Sequence, residues 1–138
     1  MTHIIPTPRL VQFIKSAFIA TGFTNEDAEI TAELMTQADI SGQDGHGIFR
    51  LPHYIKRVQE GRMNTKPEFK ILSQRTATAL LDGDNGIGHL VMRRAADIAV
   101  EKARTSGVAW VGARMSNHAG PASLYTRYVL EKGMIGIY

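Results

Sequence analysis

Val108-Ala109-Trp110-Val111-Gly112-Ala113 is a short run of apolar and small residues, and Met134-Ile135-Gly136-Ile137-Tyr138 is a second. Between them lie a polar loop, Arg114 to Gly120, and a helical stretch opened by Pro121 and closed by Gly133. Strand, helix, strand in that order favours a parallel pair joined by a right-handed crossover. Unbroken rather than alternating apolar character suits strands covered on both faces, the usual state of parallel strands. The fold class follows: α/β, with a partly parallel sheet flanked by helices.

Upstream of that unit, Phe69–Gln74 and Ala77–Asp82 read as two short strands of a hairpin. Asp84-Asn85 then caps a long helix that reaches Thr105 or Ser106 and stops at Gly107. The N-terminal part is helical. Thr7 is an N-cap with Pro8 in the first turn, and Leu10, Val11, Phe13, Ile14, Ala17 and Phe18 recur at helical spacing until Gly22. Thr24 with Asp27 is a short capping box for a second helix, which has Ile30, Leu34, Met35 and Ala38 on its apolar side. Gly42 to Gly47 is a loop carrying one histidine. Helical spacing returns from Ile48 to Glu60, with a start close to Pro52 or a bend there. No repeat or linker divides the chain, so residues 1–138 are expected to be a single domain. Its final strand lacks a following neighbour, as in a portion of a larger fold.

At 138 residues, 43% hydrophobic and 21% charged, the composition is that of a globular domain and excludes a disordered chain. No apolar run approaches the ~18 residues of a membrane-spanning helix. Arg9 and Lys15 interrupt the stretch around Leu10 to Ala20, so a secretory signal is not expected and the cytoplasm is the default compartment. Cysteine is absent, which removes disulfides, thiolate metal sites and a cysteine nucleophile. The net charge of +3 comes from dispersed Lys and Arg interleaved with Glu60, Asp97 and Glu101. That is a solvated surface, not a nucleic-acid footprint.

Two groups of residues could carry chemistry. His118 lies in the loop leaving the C-terminal end of a strand, the edge where ligands bind in open α/β sheets. Its ordinary pKa lets it exchange a proton in both directions near neutrality. His46 and Arg50 are four apart, so on a helix they share a face about 40° apart, with Tyr54 four further on. An imidazole, a guanidinium and a phenol together suit a carboxylate ligand, which Arg grips in bidentate fashion. The competing reading of that face is a solvated helix surface. His46 and His53 do not have the spacing of a helical zinc pair, and no metal is expected. Gly83-Asp84-Asn85-Gly86-Ile87-Gly88 has its glycines in the wrong order for a dinucleotide fingerprint and reads as a tight strand-to-helix turn. Its bare N–H groups leave an anion site as a minority reading.

Taken together, Ala38-Asp39-Ile40-Ser41-Gly42-Gln43-Asp44-Gly45-His46-Gly47, Arg50-Leu51-Pro52-His53-Tyr54, Leu81-Asp82-Gly83-Asp84-Asn85-Gly86 and Ser116-Asn117-His118 resemble the malate/L-lactate dehydrogenase family of the second type. The resemblance runs through essentially the whole chain. It implies hydride transfer between a 2-hydroxy acid and its 2-oxo acid with NAD or NADP, on a fold unlike the ordinary Rossmann dehydrogenases. It also implies a homodimer and a small-molecule substrate. His118 and His46 match family histidines given acid/base or relay roles, and which of the two is the acid/base stays open. Arg50 and Tyr54 match substrate-pocket positions, and Asn117, in the fourth motif, is taken with them as substrate-binding. Gly45 stands where members usually carry serine, and Ala119 where many carry a larger residue. Family chains are more than twice as long, so the chain is expected to be the N-terminal part of such an enzyme. The alternative is a non-catalytic remnant or association module.

Overall fold

The computed structural model describes residues 4–138. Its contacts gather into two compact units, one ending at Lys66 and the other Pro67–Tyr138.

The first unit is helical: α1 (Thr7–Ala20), α2 (Asn25–Ile40) and α3 (Leu51–Gln59), with two 3-10 turns, Asp44–His46 and Ile48–Arg50, between the last two. Thr24 caps α2 as its sequence suggests, accepting from the Asp27 backbone N–H at 3.1 Å. The N-cap of α1 is Pro6, not Thr7: extended backbone at Pro6 already sets the entry, and Thr7 falls in the first turn with Pro8. The third helix does not start at Ile48. Pro52 lacks an N–H, and the chain accommodates it by tightening into a 3-10 turn first and opening α3 at Leu51. Ile14 and Phe18 of α1, Ala28, Ala32 and Met35 of α2, and Leu51 and Tyr54 of α3 form the core. Phe18 is its hub, 4.9 Å from the Phe23 ring and 6.4 Å from that of Tyr54. Burying a side chain of that size contributes about 2–3 kcal/mol, more than any single cap in the unit.

The second unit is a three-stranded mixed sheet in the order β1 (Lys70–Gln74), β2 (Thr78–Gly86), β3 (Trp110–Ser116), with α4 (Gly88–Ser106) and α5 (Ser123–Glu131). β1 and β2 form the expected antiparallel hairpin. The parallel pair is β2 with β3, in the register Thr78↔Trp110 to Asp82↔Arg114, and α4 is its crossover. This corrects the expected partner of the Val108 run, since Met134–Tyr138 forms no strand. That segment lies instead against α5, where Gly136 meets the backbone of Thr126 and Tyr138 stacks on Tyr125 at 5.6 Å. The last helix also begins later than Pro121, at Ser123.

One face of the sheet is buried under α4. Ala79 and Leu81 pack with Val91, Ala95 and Ile98, and Phe69, Met92, Val111 and Ala113 close the edges. α5 is fastened to α4 by the Tyr128 hydroxyl on the Asp97 carboxylate and by Arg93 stacked over the Tyr128 ring at 3.8 Å. Asp84 and Asn85 do not cap α4. They adopt left-handed backbone inside an irregular end of β2, and the helix begins at Gly88 with Ile87 as N-cap. The same short polar side chains that suit a cap also tolerate left-handed backbone, and here the strand end claims them. Among the described residues no helix is long and apolar enough to cross a membrane.

Candidate active site

In the second unit the candidate residues sit on the loop that leaves β3. Asn117 anchors it. Its side-chain Nδ2 donates to Asn85 O at 2.8 Å and to Gly86 O at 3.0 Å, and its backbone N–H donates to Gly86 O at 3.1 Å. The Tyr125 hydroxyl donates to Ala119 O. His118, between these two fastened residues, is exposed. Its Nδ1 accepts from the Gly120 N–H at 3.4 Å. Among the described residues, the three non-glycine residues with positive φ lie around this loop: Asp84 and Asn85 at the end of β2, and Met115 near the end of β3. Backbone held in sparsely populated conformations tends to gather where function demands a fixed geometry.

In the first unit His46 ends one 3-10 turn and Arg50 ends the next, so the two do not share the face of a regular helix. They are joined differently. Arg50 Nε donates back to Gly45 O at 2.9 Å, tying the guanidinium to the residue before His46. Both side chains are half-buried. Tyr54 is fully buried in the core beside Phe18. Burial pushes its phenol up to about 12, and the Arg50 charge pulls the other way. Because the folded phenol holds its proton more tightly than the unfolded one, this contribution to stability is complete below about pH 10 and disappears as pH rises through about 12. Urea unfolding across that window should show wild-type stability falling more steeply than that of Tyr54→Phe. Parallel curves would mean that Tyr54 does not set the alkaline limit.

Asp39 holds this loop in place, a role that its sequence position alone did not reveal. Its Oδ2 accepts from the Ile48 N–H at 2.9 Å, and its carboxylate fills the space where Gly47 has no Cβ. Burial raises its pKa, the bond from Ile48 lowers it, and the neighbouring Asp44 raises it again. The only sequence signal for this contact is the glycine at 47, where any side chain would displace the carboxylate.

The two groups fall in different units, His46, Arg50 and Tyr54 in the first and Asn117 and His118 in the second. The glycine-rich turn at Gly83–Gly88 does not fit a cofactor phosphate. A Cβ on Gly88 would lie 2.5 Å from His118 C and closer still to Asn117 O, so the loop backbone already occupies the start of α4. Among the described residues no three His, Asp or Glu side chains come together as a metal site requires.

A sequence profile described as malate/L-lactate dehydrogenase matches residues 5–138. The L-sulfolactate dehydrogenase of Methanocaldococcus jannaschii is 42% identical over 84% of this chain and 34% of its own length. The ureidoglycolate dehydrogenase (NAD(+)) of Escherichia coli K12 is 31% identical over 93% of this chain and 37% of its own. The solved malate dehydrogenase of Pyrococcus horikoshii OT3 superposes with a TM-score of 0.92 at 36% identity, covering 94% of this chain and 37% of that one. The chain thus spans little more than a third of the length of the relatives it matches.

Proposed function

Since the chain belongs to the malate/L-lactate dehydrogenase family, we propose that it serves the interconversion of a small 2-hydroxy acid and its 2-oxo acid. The hydride half of that reaction needs a nicotinamide, NAD or NADP, and no residue of this chain is assigned to it. The proton half is what the chain supplies. His118 takes the proton of the substrate's C2 hydroxyl during oxidation and returns it to the carbonyl oxygen during reduction. The supporting observation is its setting: an exposed imidazole on the loop at the C-terminal end of a parallel strand, between Asn117 and Ala119, whose contacts fasten that loop. Arg50 pairs with the substrate carboxylate. Its Nε is held by Gly45 O, which directs the terminal nitrogens of a planar fork that lysine cannot reproduce. In the first unit His46 and the buried Tyr54 are assigned with Arg50 to the substrate, and in the second unit Asn117 is assigned with His118.

The test is a steady-state assay of nicotinamide reduction by the native enzyme with malate, lactate, sulfolactate and ureidoglycolate. Arg50→Lys should raise KM for the preferred acid by roughly tenfold or more with a smaller change in kcat, the pattern of lost carboxylate binding. An unchanged KM removes Arg50 from the site. No turnover of any 2-hydroxy acid with either nicotinamide overturns the function.

A further inference from the structure

The proposed reaction gives no part to Tyr125, yet its hydroxyl meets the backbone one residue from His118. Tyr125 lies in the first turn of α5 and is only 3% exposed. Its hydroxyl donates to Ala119 O in a buried contact. Ala119 is itself buried, while His118 beside it is exposed. The loop thus turns one residue inward and its neighbour outward, and Tyr125 holds the inward one. The helix behind that hydroxyl is firmly seated. Three residues further along α5, the Tyr128 hydroxyl donates to the Asp97 carboxylate of α4, and Arg93 stacks over the Tyr128 ring at 3.8 Å.

The bond falls where the loop is easiest to turn. The Ala119–Gly120 peptide is a rigid plane that rotates through ψ of Ala119 and φ of Gly120. Glycine takes positive and negative φ with nearly equal ease, and Gly120 stands at φ +73. Turning the plane over would carry Ala119 O away from Tyr125 and shift the backbone next to His118. On the other side of His118, Asn117 is held by Asn85 and Gly86. We propose that Tyr125 is a positioning residue for His118: its hydroxyl, carried on a helix locked to α4, holds the Ala119 carbonyl and keeps the Ala119–Gly120 peptide from turning over. This rests on His118 being the proton-exchanging group. Placement of the ring, not its protonation, is what the bond sets. Without the hydroxyl the rest of the loop keeps its contacts, but a buried carbonyl loses its donor. Such an acceptor favours the orientation that reaches water.

Residual dipolar couplings of the 138-residue chain report the orientation of the Ala119–Gly120 plane, averaged over motions faster than milliseconds. The wild type should fit one plane with positive φ at Gly120, and an averaged plane overturns the proposal without any variant being made. Tyr125→Phe keeps the ring and its packing and removes the hydroxyl alone. It should lose the single-plane fit at Gly120 while keeping it along α4. In the active dehydrogenase its kcat should fall roughly tenfold to a hundredfold with KM little changed, the scale of a small misplacement of a reacting group. Retention of the single plane or of kcat in folded Tyr125→Phe overturns the assignment. His118→Ala separates the two readings. If it is fully active, the reaction role of His118 falls, whatever Tyr125 does. If it is inactive while Tyr125→Phe keeps the plane, Tyr125 alone falls.

Discussion

In the active dehydrogenase, His118→Ala lowers kcat by about 10²–10⁴-fold, the usual worth of a positioned general acid–base. The size of the loss follows from what the ring does and from what surrounds it. No neighbour on the fastened loop can substitute for the His118 ring. Ala119 and Gly120 carry no ionisable side chain, and the amide nitrogen of Asn117 is committed to Asn85 and Gly86. Single-turnover kinetics separate the chemical step from release of product. Loss confined to KM would make His118 a binding residue and move the acid–base role to His46.

The largest expected effect on stability belongs to Gly88→Ala. Alanine in place of glycine ordinarily stabilises a helix by about 1 kcal/mol. Here the added methyl would lie 2.5 Å from His118 C and 2.6 Å from His118 O, backbone atoms that cannot turn aside as a side chain can. Relief requires the loop to lift, which stretches the Asn117 bonds to Asn85 and Gly86, each worth about 1 kcal/mol. Overpacking of this kind costs 1–3 kcal/mol by itself, so the clash outweighs the propensity. A net loss of about 3 kcal/mol lowers Tm by on the order of 10 °C. Gly45→Ala is the control: nothing lies within 4 Å of its Cβ, and its melting should match wild type. Equal melting of Gly88→Ala and wild type would mean that the α4–loop contact is softer than its geometry implies.

Features decided by local chemistry were legible in the sequence. The Thr24–Asp27 cap, the hairpin, and the stop of α4 at Gly107 each depend on residues a few positions apart. Features decided at a distance were less so. Apolar runs mark strands but do not say which strands pair, and so the partner of β3 was sought downstream, at Met134–Tyr138, when it lies upstream in β2. Asp84 and Asn85 carry the same signal for a helix cap and for left-handed backbone, and only the strand geometry decides between them. The candidate residues themselves were visible because their chemistry is distinctive. Their supports were not. Asp39 matters through what lies over it, Gly47, and burial of that kind leaves no mark beyond a glycine.

The parallel pairing of β2 with β3 also dictates an order of assembly. The β1–β2 hairpin closes over a few residues and needs no other element. β2 and β3 can meet only after the chain has closed a loop containing all of α4, so chain entropy is spent before the first ladder bond forms. A preformed α4 shortens that search, because the helix brings its own ends to fixed separation and offers Val91, Ala95 and Ile98 as a surface on which both strands condense. The loop bearing His118 hangs on the last rungs of that ladder, through Gly86 and Ser116, and is therefore among the latest parts of the second unit to take its final form.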